Sequence, residues 1–174
     1  VISGVYADQK AVDDDTFTKD ARIEALTRRG ADYNLPRQPA TPASSTDILF
    51  TGVPGSIISV TDTLRYIPTG VLYSPTEEVE LDLSGEGHGA IVCNISGAIG
   101  NILAGGELAF DTPPSGVDQI ATLVENCASG SDIESVDSYR ARITQFEQFK
   151  ASGGNQYDYP TYAFLADPSV RSAK

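Results

Sequence analysis

The spacing of apolar positions changes twice along the chain. Residues 16–29 read as a helix: Ile23 and Leu26 lie three apart among residues of good helix propensity, Thr16 or Thr18 can cap the start, and Gly30 is placed to stop it. Two apolar positions make a thin stripe, so this helix must rest on another element. Asn34 to Ser45 follows with Pro36, Pro39 and Pro42, which fix φ and remove donors, and reads as an extended connector.

From Asp47 to Asn126 the texture becomes short apolar or alternating runs: Ile48 to Phe50, Ser56 to Val60, Thr63 to Ile67 and Val71 to Tyr73, broken by Gly52, Pro54-Gly55, Pro68 and Gly70. Glu78 to Leu83 is the clearest strand, its period of two placing Val79, Leu81 and Leu83 inward and Glu78, Glu80 and Asp82 outward, where the charges oppose edge-to-edge pairing between copies. Ala90 to Ile95, Gly106 to Phe110 and Val117 to Val124 continue the series. Seven or eight short strands with such turn signals predict an antiparallel sandwich or small barrel. Its expected core includes Val79, Leu81, Leu83, Ile91, Cys93, Leu108, Ile120 and Leu123.

Helical spacing returns at 135–151. Val136, Tyr139, Ile143, Phe146 and Phe149 share a face, Asp132 or Ser135 can cap the start, and Gly153-Gly154 ends it. The fold class is therefore α+β and β-rich, with helical connectors flanking a central β-domain. The expected boundaries are 1–45 for the first helix and connector, 46–128 for the β-domain, 129–154 for the second connector helix, and 155–174 for the start of a further element rich in tyrosine. The absence of any Met points to a fragment or a processed chain.

Charge sharpens this picture. Residues 66–139 carry twelve acids and no Lys or Arg, so nearly the whole net charge of −12 sits mid-chain. Such a surface repels phosphate backbones and argues against nucleic acid as a direct partner. It serves solubility, or it receives a basic protein partner. No apolar run approaches the roughly 20 residues that span a bilayer, so direct membrane insertion is not expected. Cys93 and Cys127 are too few for a disulfide framework and read as reduced core thiols; the Asn94-Ile95-Ser96 sequon has no other sign of secretion beside it.

Catalytic constellations are missing. His88, the only histidine, lies in the glycine-rich stretch 85–89 and reads as a turn residue, which removes His-pair metal sites and leaves any triad without a Gly-x-Ser-x-Gly elbow. The acids at 13–15 and at 132, 134 and 137 lack the spacing of a calcium loop. No catalytic, metal or cofactor residue is assigned, and no cofactor or small-molecule substrate is expected. Two alternatives to an assembly role stay open. One is a carboxylate-based glycan hydrolase, which needs two acids across a cleft. The other is a glycan-binding module, for which Tyr66, Tyr73 and Phe110 are the candidate aromatics of the β-region.

Several segments resemble a known family in its own order. Gly130-Ser131-Asp132-Ile133-Glu134-Ser135, followed by Arg140-Ala141-Arg142-Ile143, is similar to the hallmark segment of the baseplate J-like family of phage tail proteins. Arg29-Gly30 with Pro39-Ala40 and Ala43, Phe50 to Ile58, Gly97 to Gly105, and Gly153-Gly154-Asn155 through Tyr159, Tyr162-Ala163 and Val170 resemble its other conserved pieces. Ser131, Tyr162 and Ile58-Ser59 depart from the family pattern, which has Gly, Trp and Ile-Pro there. The resemblance implies a non-enzymatic wedge component of a contractile tail baseplate, located in the virion. Its partners would be other baseplate subunits, including copies of itself. Carried onto this chain, the interface candidates are Asp132, Glu134, Tyr139, Arg140, Arg142 and Tyr162, and the structural turns are Gly52, Gly55, Gly100, Asn101, Gly105, Gly153 and Gly154. On the helix, Arg140 is expected to hold Asp137, leaving Arg142 to face outward to another subunit's carboxylate.

Overall fold

A computed structural model of the chain describes residues 17–148 and, beyond them, Ala163 and Ala166. Two compact units emerge: Ala40–Ile133 forms one, and the segments on either side of it form the other. The inner unit holds β1 (Pro42–Thr51), β2 (Ile57–Ile58), β3 (Leu64–Tyr66), β4 (Leu72–Pro75), β5 (Val79–Glu80), β6 (Glu86–Ser96), β7 (Glu107–Phe110) and β8 (Ile120–Leu123). Six strands close into an antiparallel barrel in the order β1-β6-β4-β3-β7-β8, with β8 pairing back onto β1; β2 and β5 pair separately. Of the sandwich or barrel anticipated, the chain forms the barrel, and closure leaves these six strands no free edge.

Its core gathers Ile48, Phe50, Leu64, Tyr73, Ile91, Leu108, Phe110 and Leu123, with Val79 supplied by the β2–β5 ribbon and Leu81 by the residue just after it. The ribbon fits because β6 points Gly87 and Gly89 inward. A Cβ at Gly87 would lie 2.8 Å from a Leu81 methyl, and one at Gly89 would lie 2.5 Å from a Val79 methyl. Glycines inside a strand mark such a close approach. The stretch 85–89 read as a turn is therefore mostly strand, and His88 stands on its outer face with Nδ1 2.6 Å from Asp47 Oδ1.

Three expectations within the barrel are corrected. β1 begins at Pro42, inside the stretch read as connector, because proline's missing N–H is tolerated at a strand's first residue. Its buried positions run Ala43, Ser45, Ile48, Phe50, a phase change made by a bulge: Ser45 pairs with Ile91 but Ile48 with Gly89. Leu83, expected inside, is 97% exposed. The strand stops at Glu80, and Asp82 turns the chain by accepting the N–H groups of Ser84 at 2.8 Å and Glu86 at 3.0 Å. Ile120 is 39% exposed, since a period of two places Ala121 and Leu123 on one face and cannot include residue 120.

The outer unit contains α1 (Ile23–Asp32) and α2 (Val136–Gln148), which bury Ala21, Ala25, Leu26, Tyr139 and Ile143 against each other. The Tyr33 and Phe146 rings meet in a tilted pair at 5.0 Å between centroids, whereas Phe149, expected on the same face as Phe146, lies outside the described residues. Ser135 caps α2, its Oγ accepting the Ser138 N–H at 3.1 Å. Thr18 does not cap α1; its hydroxyl donates to Glu147 at 2.6 Å and accepts from Arg29, and Arg22 takes the cap position.

Gly30 does not end α1. Asn34, with φ of 54°, does so in a left-handed cap where Leu35 N–H reaches the Gly30 carbonyl at 2.7 Å and Asn34 N–H that of Ala31 at 3.1 Å. Gly30 instead makes room: a Cβ there would sit 1.8 Å from the Tyr139 hydroxyl and 2.5 Å from the Leu35 carbonyl. Alanine gains about 1 kcal/mol of helix propensity over glycine, yet overpacking costs about 1–3 kcal/mol. Gly30→Ala is therefore expected to lower the urea midpoint of the helical circular-dichroism signal; a raised midpoint would show that Tyr139 swings clear.

Candidate functional site

The hallmark segment divides between the two units. Within the barrel unit, Gly130 meets the Gly100-Asn101 turn: Asn101 Nδ2 donates to the Gly130 carbonyl and Gly130 N–H donates to Asn101 Oδ1, both at 2.9 Å. A Cβ at Gly130 would lie 2.6 Å from the Gly97 carbonyl, and one at Gly100 would lie 2.8 Å from Cys93 Sγ. Tyr73 completes this corner by donating its hydroxyl to the Gly100 carbonyl at 2.9 Å. Burial drives the Tyr73 phenol well above its ordinary range, and it drives the Cys127 thiol to about 11, with Cys93 adding to the shift. Both cysteines are free and buried, and at neutral pH Cys127 stays a thiol.

Asp132 belongs to the same corner. Its Oδ1 accepts the Ala98 N–H at 2.9 Å, so the exposed carboxylate holds a barrel loop and does not cap α2. Gly55 and Gly105 sit at φ of 79° and 81° with open space around them, as turn glycines do. Gly52 is enclosed: a Cβ there would meet the Gly116 carbonyl at 2.2 Å. Gly153, Gly154 and Tyr162 lie outside the described residues.

Within the helical unit, Glu134 and Arg142 form a buried ion pair. Arg142 Nε and Nη2 reach the two Glu134 carboxylate oxygens at 3.1 and 2.8 Å. Nη2 also donates to the Pro36 carbonyl at 2.7 Å, and the guanidinium lies 5.3 Å from the Tyr139 ring centroid. Glu134 accepts the Gln38 N–H at 3.1 Å, while its backbone N–H donates to the Gln38 carbonyl at 3.0 Å and its carbonyl accepts from Arg37 Nε at 2.7 Å. Tyr139 donates its hydroxyl to the Leu35 carbonyl at 3.0 Å, and burial raises its pKa. These groups form a clasp that fixes residues 35–38 to the start of α2. Side chains of α2, with Glu134 just before it, satisfy an otherwise irregular, proline-containing backbone.

The outward role expected for Arg142 is thus corrected: it is 3% exposed, and the carboxylate it grips in a fork is its own chain's Glu134. Arg140 does hold Asp137, at 2.6 Å, and also donates to the Ala21 carbonyl at 3.0 Å. Sequence reasoning treated the two arginines by their angle on the helix. It missed the clasp because Pro36, Arg37 and Gln38 lie about a hundred residues away, and nothing in their local pattern signals a partner.

Among the described residues, no group of His, Cys, Asp and Glu is arranged to hold a metal ion, and no helix is long and apolar enough to cross a membrane. The aromatics weighed for glycan binding do not form an exposed face: Tyr73 and Phe110 are core residues and Tyr66 packs against them, half-buried. The barrel unit is thus a closed, acidic antiparallel barrel whose loops are held by its own side chains, and the helical unit by itself holds a buried clasp.

Residues 47–130, the stretch that holds most of the closed barrel, match the family model of the baseplate J-like protein barrel domain. The chain is similar to the baseplate protein gp47 of Escherichia phage Mu, at 29% identity over 131 residues covering 75% of this chain and 36% of that protein. It is also similar to the Mu-like prophage FluMu protein gp47 of Haemophilus influenzae, at 32% identity over 95 residues covering 55% of this chain and 26% of that one. The chain thus spans only about a third or less of the length of these curated relatives.

Proposed function

We propose that this chain is part of a structural, non-enzymatic component of a contractile phage-type tail baseplate. It acts as a wedge piece, joining the central hub to peripheral parts through contacts with other baseplate subunits and with copies of itself. The observation that carries this reading is the coincidence of the closed barrel with the family match at residues 47–130, together with two relatives that bear baseplate or Mu-like prophage names. The architecture supports it physically. Polar side chains are engaged in holding backbone in place, as with Asp82, Asp132, Glu134 and Arg142. A rigid barrel is suited to transmit contact between neighbours.

The test is to delete the gene in a tail-producing strain and examine purified particles by electron microscopy and mass spectrometry. We expect the chain's peptides in wild-type tails and, in the deletion strain, tails lacking assembled baseplates. Complete, infectious particles from the deletion strain would remove the proposal.

A further inference from the structure

The barrel residues 40–133 carry twelve acids and one base, Arg65, and Asp111 holds that base in a two-pronged pair at 2.9 and 2.5 Å. Five of those acids, Glu77, Glu78, Glu80, Asp82 and Glu86, fall within ten residues, and all five are exposed. At the centre of this run stands Leu83, the most exposed large apolar side chain described, at 97%.

The turn that presents Leu83 is locked. Asp82 Oδ1 accepts from the Ser84 hydroxyl at 2.6 Å and from two backbone N–H groups, and Asp82 N–H returns a bond to the Glu86 carbonyl at 2.8 Å. These donors hold the Asp82 carboxyl below its usual range, the Ser84 hydroxyl first among them. The neighbouring loop is tied on by Gly52 N–H to the Gly85 carbonyl and Gly55 N–H to the Leu81 carbonyl, both at 2.9 Å. Between them lies an open notch of about 520 Å³ lined by Pro54, Gly55, Glu80, Leu81, Asp82 and Leu83. Val53 on that loop is 60% exposed and Ile57 is 49% exposed.

An apolar knob on a pre-ordered turn loses little conformational freedom when it is covered, which favours its use as an anchor. The electrostatics select the partner. Carboxylates without an intervening base repel a second acidic surface, another copy's barrel included, and attract a rim of Lys and Arg. We propose that the Leu83 turn seats in an apolar pocket, rimmed by basic residues, on a different protein of the assembly. This rests on the baseplate reading and names the kind of partner that reading requires.

The experiment places a photocrosslinking amino acid at position 83 of the full-length protein in tail-producing cells. In parallel, Leu83→Ser is compared with wild type for incorporation into tails. The expected adduct joins a different tail protein through a segment where apolar residues are flanked by Lys or Arg. Leu83→Ser should keep the wild-type circular dichroism and thermal midpoint, as a fully exposed position allows, while incorporation falls about tenfold, as for loss of an interface anchor. Glu78→Gln, Glu80→Gln and Glu86→Gln together should weaken incorporation and reduce its salt sensitivity. A crosslink to another copy of this chain or to a pocket without basic residues would overturn the proposal but leave the baseplate reading standing. So would wild-type incorporation of Leu83→Ser without an adduct. Absence of the chain from purified tails would overturn both.

Discussion

Arg142→Met is expected to destabilise the helical unit by about 3–5 kcal/mol, the range for breaking a buried ion pair on one side. The reason lies in what remains. The Glu134 carboxylate loses both guanidinium bonds and stays inside, and the Pro36 carbonyl loses its donor. Arg142→Glu should be worse, because it sets two carboxylates together. Its defect would then be one of folding, where a surface arginine would have predicted a normally folded subunit that fails to assemble. Replacing both partners, as Glu134→Leu with Arg142→Met, should recover most of the loss, since well-packed apolar pairs often match buried ion pairs in stability. Urea titration of the helical circular-dichroism signal decides this. A single-variant midpoint equal to wild type would mean that solvent reaches the pair.

Phe50→Ala should cost the barrel about 3–5 kcal/mol, the usual range for removing a buried aromatic ring. Phe50 is fully buried, with its ring centroid 6.0 Å from that of Phe110. It sits on β1, the strand that pairs with both β6 and β8 and so closes the barrel. A cavity there loosens the seam as well as the core. The measurement is the midpoint of barrel unfolding, followed by tyrosine fluorescence because the chain has no Trp. Loss of less than about 1 kcal/mol would indicate that neighbouring side chains collapse into the space.

Local pattern carried much of the architecture. Alternation located β3, β7 and β8, each of which lies in one of the short apolar runs, and the first half of β4, and it placed Val79, Leu81, Ile91, Cys93, Leu108 and Leu123 in the core. The second helix was legible from spacing and from Ser135 as a cap, because capping and amphipathicity act within a few residues; the first, expected over 16–29, forms at Ile23–Asp32. Leu83 and Ile120 went astray for a shared reason: apolar identity was extended past the point where the strand phase holds. At Leu83 a carboxylate three atoms from the backbone ends the strand, which alternation alone does not register. Gly87 and Gly89 hid a strand because their role is to leave space for Val79 and Leu81, a requirement that exists only after the ribbon docks.

The family resemblance could be read from the hallmark residues, but what those residues do could not. Asp132, Glu134 and Arg142 lie within eleven positions of one another, yet the first holds a barrel loop while the other two are buried in the helical unit. Most of the elements, most of the barrel core and the mid-chain excess of negative charge could be read from the sequence, because side-chain period and composition are local properties. Only the tertiary structure decided barrel over sandwich, the partner of Arg142, the use of Gly30 and the exposure of Leu83. Each depends on which distant backbone or side chain arrives within a few ångströms, and chain closure sets that.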